Sequence, residues 1–189
     1  MNYIRLLTSL GLIYRTATFK AWAPKLHGRY ATNMAALRHH HKSLKFPFSS
    51  SVFPSVTYNL GPRTVTYPHL DYFNTAFGWC AITALGTYDY RKGGHLILWD
   101  LDLVIEFPPG ATIFIPSAVV SHSNVTISQI ERRYSVTQYA AGGLFRWVDN
   151  GFKTNRSLSR KQRMLQEREN FTRWEDSLSL FPILSECSA

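Results

Sequence analysis

The chain has 189 residues, 45% of them hydrophobic, 14% aromatic and only 17% charged. That excludes a disordered or collagen-like polymer and is enough for one buried core with extensions. The net charge of +9 is unevenly placed: Arg5, Arg15, Lys20, Lys25, Arg29, Arg38, Lys42, Lys45 and Arg63 all precede Asp71, the first acidic residue, and beyond it acids and bases balance.

A basic leading third suits anionic partners, nucleic acid first and a membrane surface second. An acid-free leader containing arginine also reads as a mitochondrial presequence, and both readings stay open. A secretory signal fits less well, because Arg15 and Lys20 interrupt the apolar segment. No apolar run approaches the roughly 20 residues of a membrane span. Cys80 and Cys187 lie far apart in no metal-like spacing, which points to a reducing, intracellular compartment, the nucleus first, and to no structural zinc.

In chain order, residues 1–50 read as a basic helical extension. "IRLLTSLGLIY" and "NMAALRHHHKSL" combine apolar spacing with good helix formers, and His39–His41 reads as exposed surface. Residues 51–152 change texture. "SVTYNLG", "RTVTYPHL", "GWCAITALGTYDY", "HLILWDLDLVIEF", "ATIFIPSAVV", "NVTIS" and "RRYSVTQYA" are rich in β-branched and aromatic residues. Turn signals separate them at Gly61-Pro62, Gly93-Gly94 and Pro108-Pro109-Gly110. Many short strands with no intervening helical pattern predict a sandwich or barrel rather than a parallel βαβ sheet. Residues 153–189 read as one charged amphipathic helix and a tail, with Met164, Leu165, Phe171, Trp174 and Leu178 as its packing residues.

The candidate chemistry starts at "YPHLDYFN". On a strand, residues two apart point to the same side, so His69 and Asp71 offer an imidazole nitrogen and a carboxylate oxygen to one ion. That pair alone is a weak signal. His122, on a later strand after a Pro-Gly turn, is the candidate third ligand. Two histidines and one carboxylate on one face of an ion leave the opposite positions open, the facial arrangement of non-haem Fe(II) oxygenases. Arg133 and Ser135 alternate onto one face of "RRYSVTQY". A guanidinium fork with a hydroxyl anchors a carboxylate in position and orientation. Arg132 points the other way, toward Glu131.

The ordered set of H-x-D, a distal histidine and R-x-S, over about Asn59 to Phe152, resembles the Fe(II)/2-oxoglutarate-dependent dioxygenases. "HLDYFN" and "RYSVTQY" look most like the TET/JBP branch, which oxidises methylated pyrimidines in nucleic acid. There, Asn follows the aspartate at the third place, matched by Asn74, and a Tyr follows R-x-S, matched by Tyr139. "NLGPRTVTYPHLD" and "GGLFRWVDNGF" are similar to basidiomycete fungal proteins of this branch. The resemblance implies a mainly β, α+β fold: a double-stranded β-helix, jelly-roll or cupin-like, with N- and C-terminal flanking helices. It implies that His69, Asp71 and His122 hold Fe(II), that 2-oxoglutarate chelates the iron and meets Arg133 and Ser135 with its far carboxylate, and that O2 completes the set for oxidation of a C–H bond. Asn74 would orient co-substrate or substrate or else hold its own loop, and Trp79 and Trp99 would line the mouth or stack a base, with packing in the core the favoured alternative for both. The pattern departs in two places: no cysteine-rich module is present, and Leu70 fills the middle of the triad motif, where that branch often carries a basic residue. A protein or small-molecule substrate, or a binding module without turnover, are the alternatives.

Overall fold

A computed structural model describes residues 16–46 and 48–183 of the chain. The first apolar segment, Arg5, Arg15 and Cys187 lie outside them. The contacts divide the chain into two compact units: Pro54–Ala141, and the residues on either side of it.

The Pro54–Ala141 unit is the β unit. Its strands are β1 (Ser55–Asn59), β2 (Cys80–Thr87), β3 (Leu96–Leu98), β4 (Leu103–Ile105), β5 (Thr112–Ile115), β6 (His122–Asn124) and β7 (Arg132–Tyr139). They form a four-stranded sheet in the order β1-β7-β2-β5 and a three-stranded sheet in the order β4-β3-β6, every pairing antiparallel. A backbone bridge from His69 to His122 adds the residue 69 segment beside β6. The second sheet thus gains a fourth position. A four-stranded and a three-stranded antiparallel sheet, mostly of non-consecutive neighbours and extended at His69 by a single bridge, are the jelly-roll plan expected of the sequence.

Pairing and burial follow from composition. The run Cys80–Ala84 on β2 is buried throughout, as befits a strand between β7 and β5. Ile82 and Ala84 pack with Leu96, Leu98, Phe107, Ile115 and Val120 in the core. Gly86 on β2 is opposite Arg133, with φ of +120°, and a Cβ there would lie 2.1 Å from the Arg132 carbonyl oxygen. Only glycine allows β2 and β7 to close at that point.

In the other unit, residues 16–22 are helical, followed by α1 (Pro24–His40), α2 (Gly142–Asp149), α3 (Arg160–Asn170) and α4 (Arg173–Leu178). Pro24 opens α1, where its missing N–H costs nothing. Tyr30 of α1 meets Phe19, Phe53 and Phe145 edge-on. Arg29 holds both carboxylate oxygens of Asp149 at 2.6 Å. Ser159 and Gln162 form a capping box at the start of α3.

The helix expected over the C-terminal segment is two, broken at Phe171–Thr172, and Met164, Leu165, Phe171, Trp174 and Leu178 are all exposed. The reason lies in α3 itself. Its apolar residues, Met164 and Leu165, are adjacent, whereas a packing stripe needs repeats three and four apart. No described helix is long and apolar enough to cross a membrane.

Candidate metal centre

His69 and His122 come together because their segments pair: the His69 N–H donates to the His122 carbonyl at 3.1 Å and the reverse bond is 3.0 Å. Their ring centroids lie 4.3 Å apart. Asp71, two residues on, brings a carboxylate oxygen to 3.8 Å from His69 Nε2. One ligand atom from each of His69, Asp71 and His122 lies within 4.8 Å of the others, and no other such group occurs among the described residues.

The protonation pattern is the one a metal requires. His69 Nδ1 lies 2.8 Å from the Tyr67 carbonyl and His122 Nδ1 lies 3.0 Å from the Val120 carbonyl. A carbonyl only accepts, so each Nδ1 carries a proton, and in the neutral ring that leaves the Nε2 lone pair for an ion. Burial, with the neighbouring His69 adding to it, pulls the His122 pKa below its usual value, against the opposing pulls of the Val120 bond and Asp71. His122, 4% exposed, is therefore neutral at neutral pH.

The three residues lie in a cleft of about 480 Å³. Its floor is the inner face of the first sheet. Rows of paired residues, Asn59–Ser135–Ala84 and Thr57–Thr137–Ile82, cross from β1 through β7 to β2. Thr57, Asn59, Ile82, Ser135, Thr137 and Tyr139 all line the cleft. Ser135 Oγ accepts from Asn59 Nδ2 at 2.9 Å, which leaves its hydroxyl proton to donate. Asn124 ties the segment before His69 to β6, its Oδ1 accepting from both the amide and the hydroxyl of Thr66.

Arg133 lies next along the same face of β7, 3% exposed and not among the residues that line the cleft. Its Nη1 donates to the Thr64 carbonyl at 3.0 Å, and its buried Nε has no partner. Burial lowers its pKa, and the adjacent Tyr88 opposes that shift. A buried guanidinium with an unpartnered Nε–H, two residues from Ser135 on one strand face, has the donor chemistry suited to a carboxylate. His69, Asp71 and His122 therefore fit Fe(II) by donor type, and Arg133 with Ser135 fits the far carboxylate of 2-oxoglutarate.

Not every expected residue joins this group. Asn74 lines the cleft but directs its amide to Asp71 Oδ2 and Ser117 Oγ, both at 3.1 Å. Trp79 is half-buried and does not line the cleft. Trp99 is half-exposed, outside the lining, and donates from Nε1 to Ser123 Oγ. Glu131 accepts from the amides of Asp89 and Ser128, and none of the described ion pairs joins it to Arg132. Sequence reading overlooked Tyr72 and Phe73, which line the cleft at 79% and 90% exposure, and Asn59 and Ser117, whose roles depend on pairing between distant segments. Adjacent large aromatics directly after the H-x-D pair were the available signal for the first two.

No family model and no curated protein matches the chain. Among solved structures it is similar to NgTET1 in complex with 5mC DNA, with a TM-score of 0.43 and 20% identity over 49% of this chain and 35% of that one. It is also similar to the viral collagen prolyl hydroxylase vCPH from Paramecium Bursaria Chlorella virus-1 in its 2OG complex, with a TM-score of 0.34 and 13% identity over 58% of this chain and 69% of that one. The chain thus spans about a third of the NgTET1 chain.

Proposed function

We propose that this chain is an Fe(II)- and 2-oxoglutarate-dependent dioxygenase that oxidises a C–H bond. The observation that carries the reading is the convergence of two Nε2 lone pairs and one carboxylate oxygen in a cleft that Ser135 lines, with the unpartnered Nε of Arg133 on the same strand face. His69, Asp71 and His122 would hold the iron, which with 2-oxoglutarate and O2 would supply the oxidising chemistry, O2 being consumed as 2-oxoglutarate is converted to succinate and CO2. The protein's part is to hold both imidazoles in the ligating tautomer, to fix the far carboxylate, and to keep the substrate carbon near the open side of the metal.

For the substrate we favour a base in nucleic acid, a 5-methylpyrimidine being the fitting C–H donor. Exposed Tyr72 and Phe73 rings beside the triad suit stacking of a planar heterocycle, and the basic excess of the chain suits its phosphates. One observation favours a second reading, an oxygenase of a protein side chain or small molecule: the cleft lining contains no lysine or arginine. A flipped base is itself uncharged, so a lining without lysine or arginine is compatible with both.

The test is an anaerobic titration of the apo-protein with Fe(II) and 2-oxoglutarate, followed by the visible metal-to-ligand charge-transfer band. A band that needs both components and is lost in Arg133→Ala supports the reading. A folded protein that gives none overturns it and leaves a binding module. Methylated oligonucleotides that raise succinate formation above the uncoupled rate separate the first substrate reading from the second.

A further inference from the structure

The polar groups around Asp71 form a closed chain that the triad does not require. Asn74 Nδ2 donates to Asp71 Oδ2 and to Ser117 Oγ, each at 3.1 Å. An amide nitrogen only donates, so both of its protons are committed and both oxygens accept. Ser117, 1% exposed, follows β5 and reaches Asp71 a second way, its carbonyl accepting the Asp71 N–H at 2.9 Å. The Ser117 hydroxyl also bonds the thiol of Cys80, buried on β2. Asn74 is fixed in turn by its own N–H to the Asp71 carbonyl at 2.8 Å and by a backbone bridge to Ala141.

The two carboxylate oxygens are thereby made unequal. Oδ1 faces His69 Nε2 at 3.8 Å, while Oδ2 is engaged by Asn74. A carboxylate free to rotate presents both oxygens to a metal and occupies two positions. A facial triad has to leave three positions open for a chelating co-substrate and O2. We propose that Ser117 and Asn74 are positioning residues that hold Asp71 as a one-oxygen ligand, with Ser117 acting through Asn74. This rests on the metal-centre reading above. It also assigns Asn74 to the carboxylate rather than to co-substrate or substrate.

Co(II), which is spectroscopically visible and inert to the oxidative chemistry, tests this on the full chain. The wild-type protein binds it stoichiometrically, and Asn74→Ala and Ser117→Ala each weaken it by about 10- to 100-fold, the range for lost outer-sphere partners. Both variants change the visible d–d spectrum, as a second carboxylate oxygen enters the coordination sphere. The double variant is no weaker than Asn74→Ala alone, because residues acting through one contact are not additive. Circular dichroism checks folding, and if Ser117→Ala does not fold, Asn74→Ala decides. Wild-type binding with unchanged affinity and spectrum in the folded variants, or additive losses in the double variant, overturns the positioning role and leaves the metal centre standing. A wild-type protein that takes up no Co(II) overturns both.

Discussion

His69 and His122 exchange both backbone hydrogen bonds, at 3.1 and 3.0 Å, so two metal-ligand candidates far apart in sequence are set by one bridge between strands. The side chains of such a pair emerge on the same side of the sheet, which is why their rings stand 4.3 Å apart. The ligand spacing is therefore a property of sheet register.

Loss of either neighbour on the H-x-D segment should abolish the site. His69→Ala and Asp71→Ala are expected to eliminate stoichiometric Fe(II) binding in anaerobic calorimetry while the circular dichroism spectrum stays native, since both side chains are partly exposed. Tight, stoichiometric iron in both variants would show that the ligands lie elsewhere.

Arg133→Ala should separate co-substrate from metal. Hydrogen bonds to a charged group contribute about 1.5–3 kcal/mol, so 2-oxoglutarate is expected to bind about 10- to 100-fold more weakly. Fe(II) affinity stays within a few-fold. Equal 2-oxoglutarate affinity in the wild type and the variant removes Arg133 from the site.

Gly86 sets the closeness of β2 to β7 at Arg133. Gly86→Ala places a Cβ 2.1 Å from the Arg132 carbonyl oxygen at a backbone angle suited to glycine, so it should cost more than about 1 kcal/mol of stability. Chemical denaturation measures this. A variant as stable as the wild type would show that the strands separate at no cost.

Cys80 should be silent to thiol reagents in the folded protein. Burial pushes its pKa up to about 12, with the Ser117 hydrogen bond opposing, so the thiolate needed for reaction is absent at pH 8. In a Cys187→Ser background, a chromogenic disulfide reagent should read no thiol until denaturant is added. With the folded pKa raised from 9.0 to about 12, the contribution of Cys80 to stability is full below pH 9 and is lost as pH rises toward 12. A Cys80→Ala variant should lose less stability than its parent over that window, and identical slopes would remove the group from the pH dependence.

Tyr72 and Phe73 should matter to substrate and not to the metal. Base stacking is worth about 1–3 kcal/mol per ring, so Tyr72→Ala and Phe73→Ala should weaken a methylated oligonucleotide while the charge-transfer band is unchanged. Undiminished oligonucleotide binding in the double variant would move the substrate reading to a protein or small molecule.

Much of this was legible from residue order. Alternation along a strand put His69 with Asp71 and Arg133 with Ser135, and the strand-rich texture pointed to the antiparallel sheets that the strands between Ser55 and Tyr139 form. The C-terminal segment was less legible, because helix-forming residues are not enough to make a packing face: Met164 and Leu165 are adjacent and exposed. Neither Trp79 nor Trp99 lines the cleft, and ring size alone does not reveal which face of a segment turns inward.

The sequence by itself determined the donor types and their local phase: two imidazoles, a carboxylate, a guanidinium and a hydroxyl, with His69–Asp71 and Arg133–Ser135 each two residues apart. Only the tertiary structure decided which imidazole nitrogen is free, that Asn74 serves Asp71, that Asn59 meets Ser135 and that Tyr72 and Phe73 stand at the cleft. The physical reason is range. The direction of a side chain repeats every two residues and can be read locally, whereas its partners are fixed by register between strands that residue order does not state.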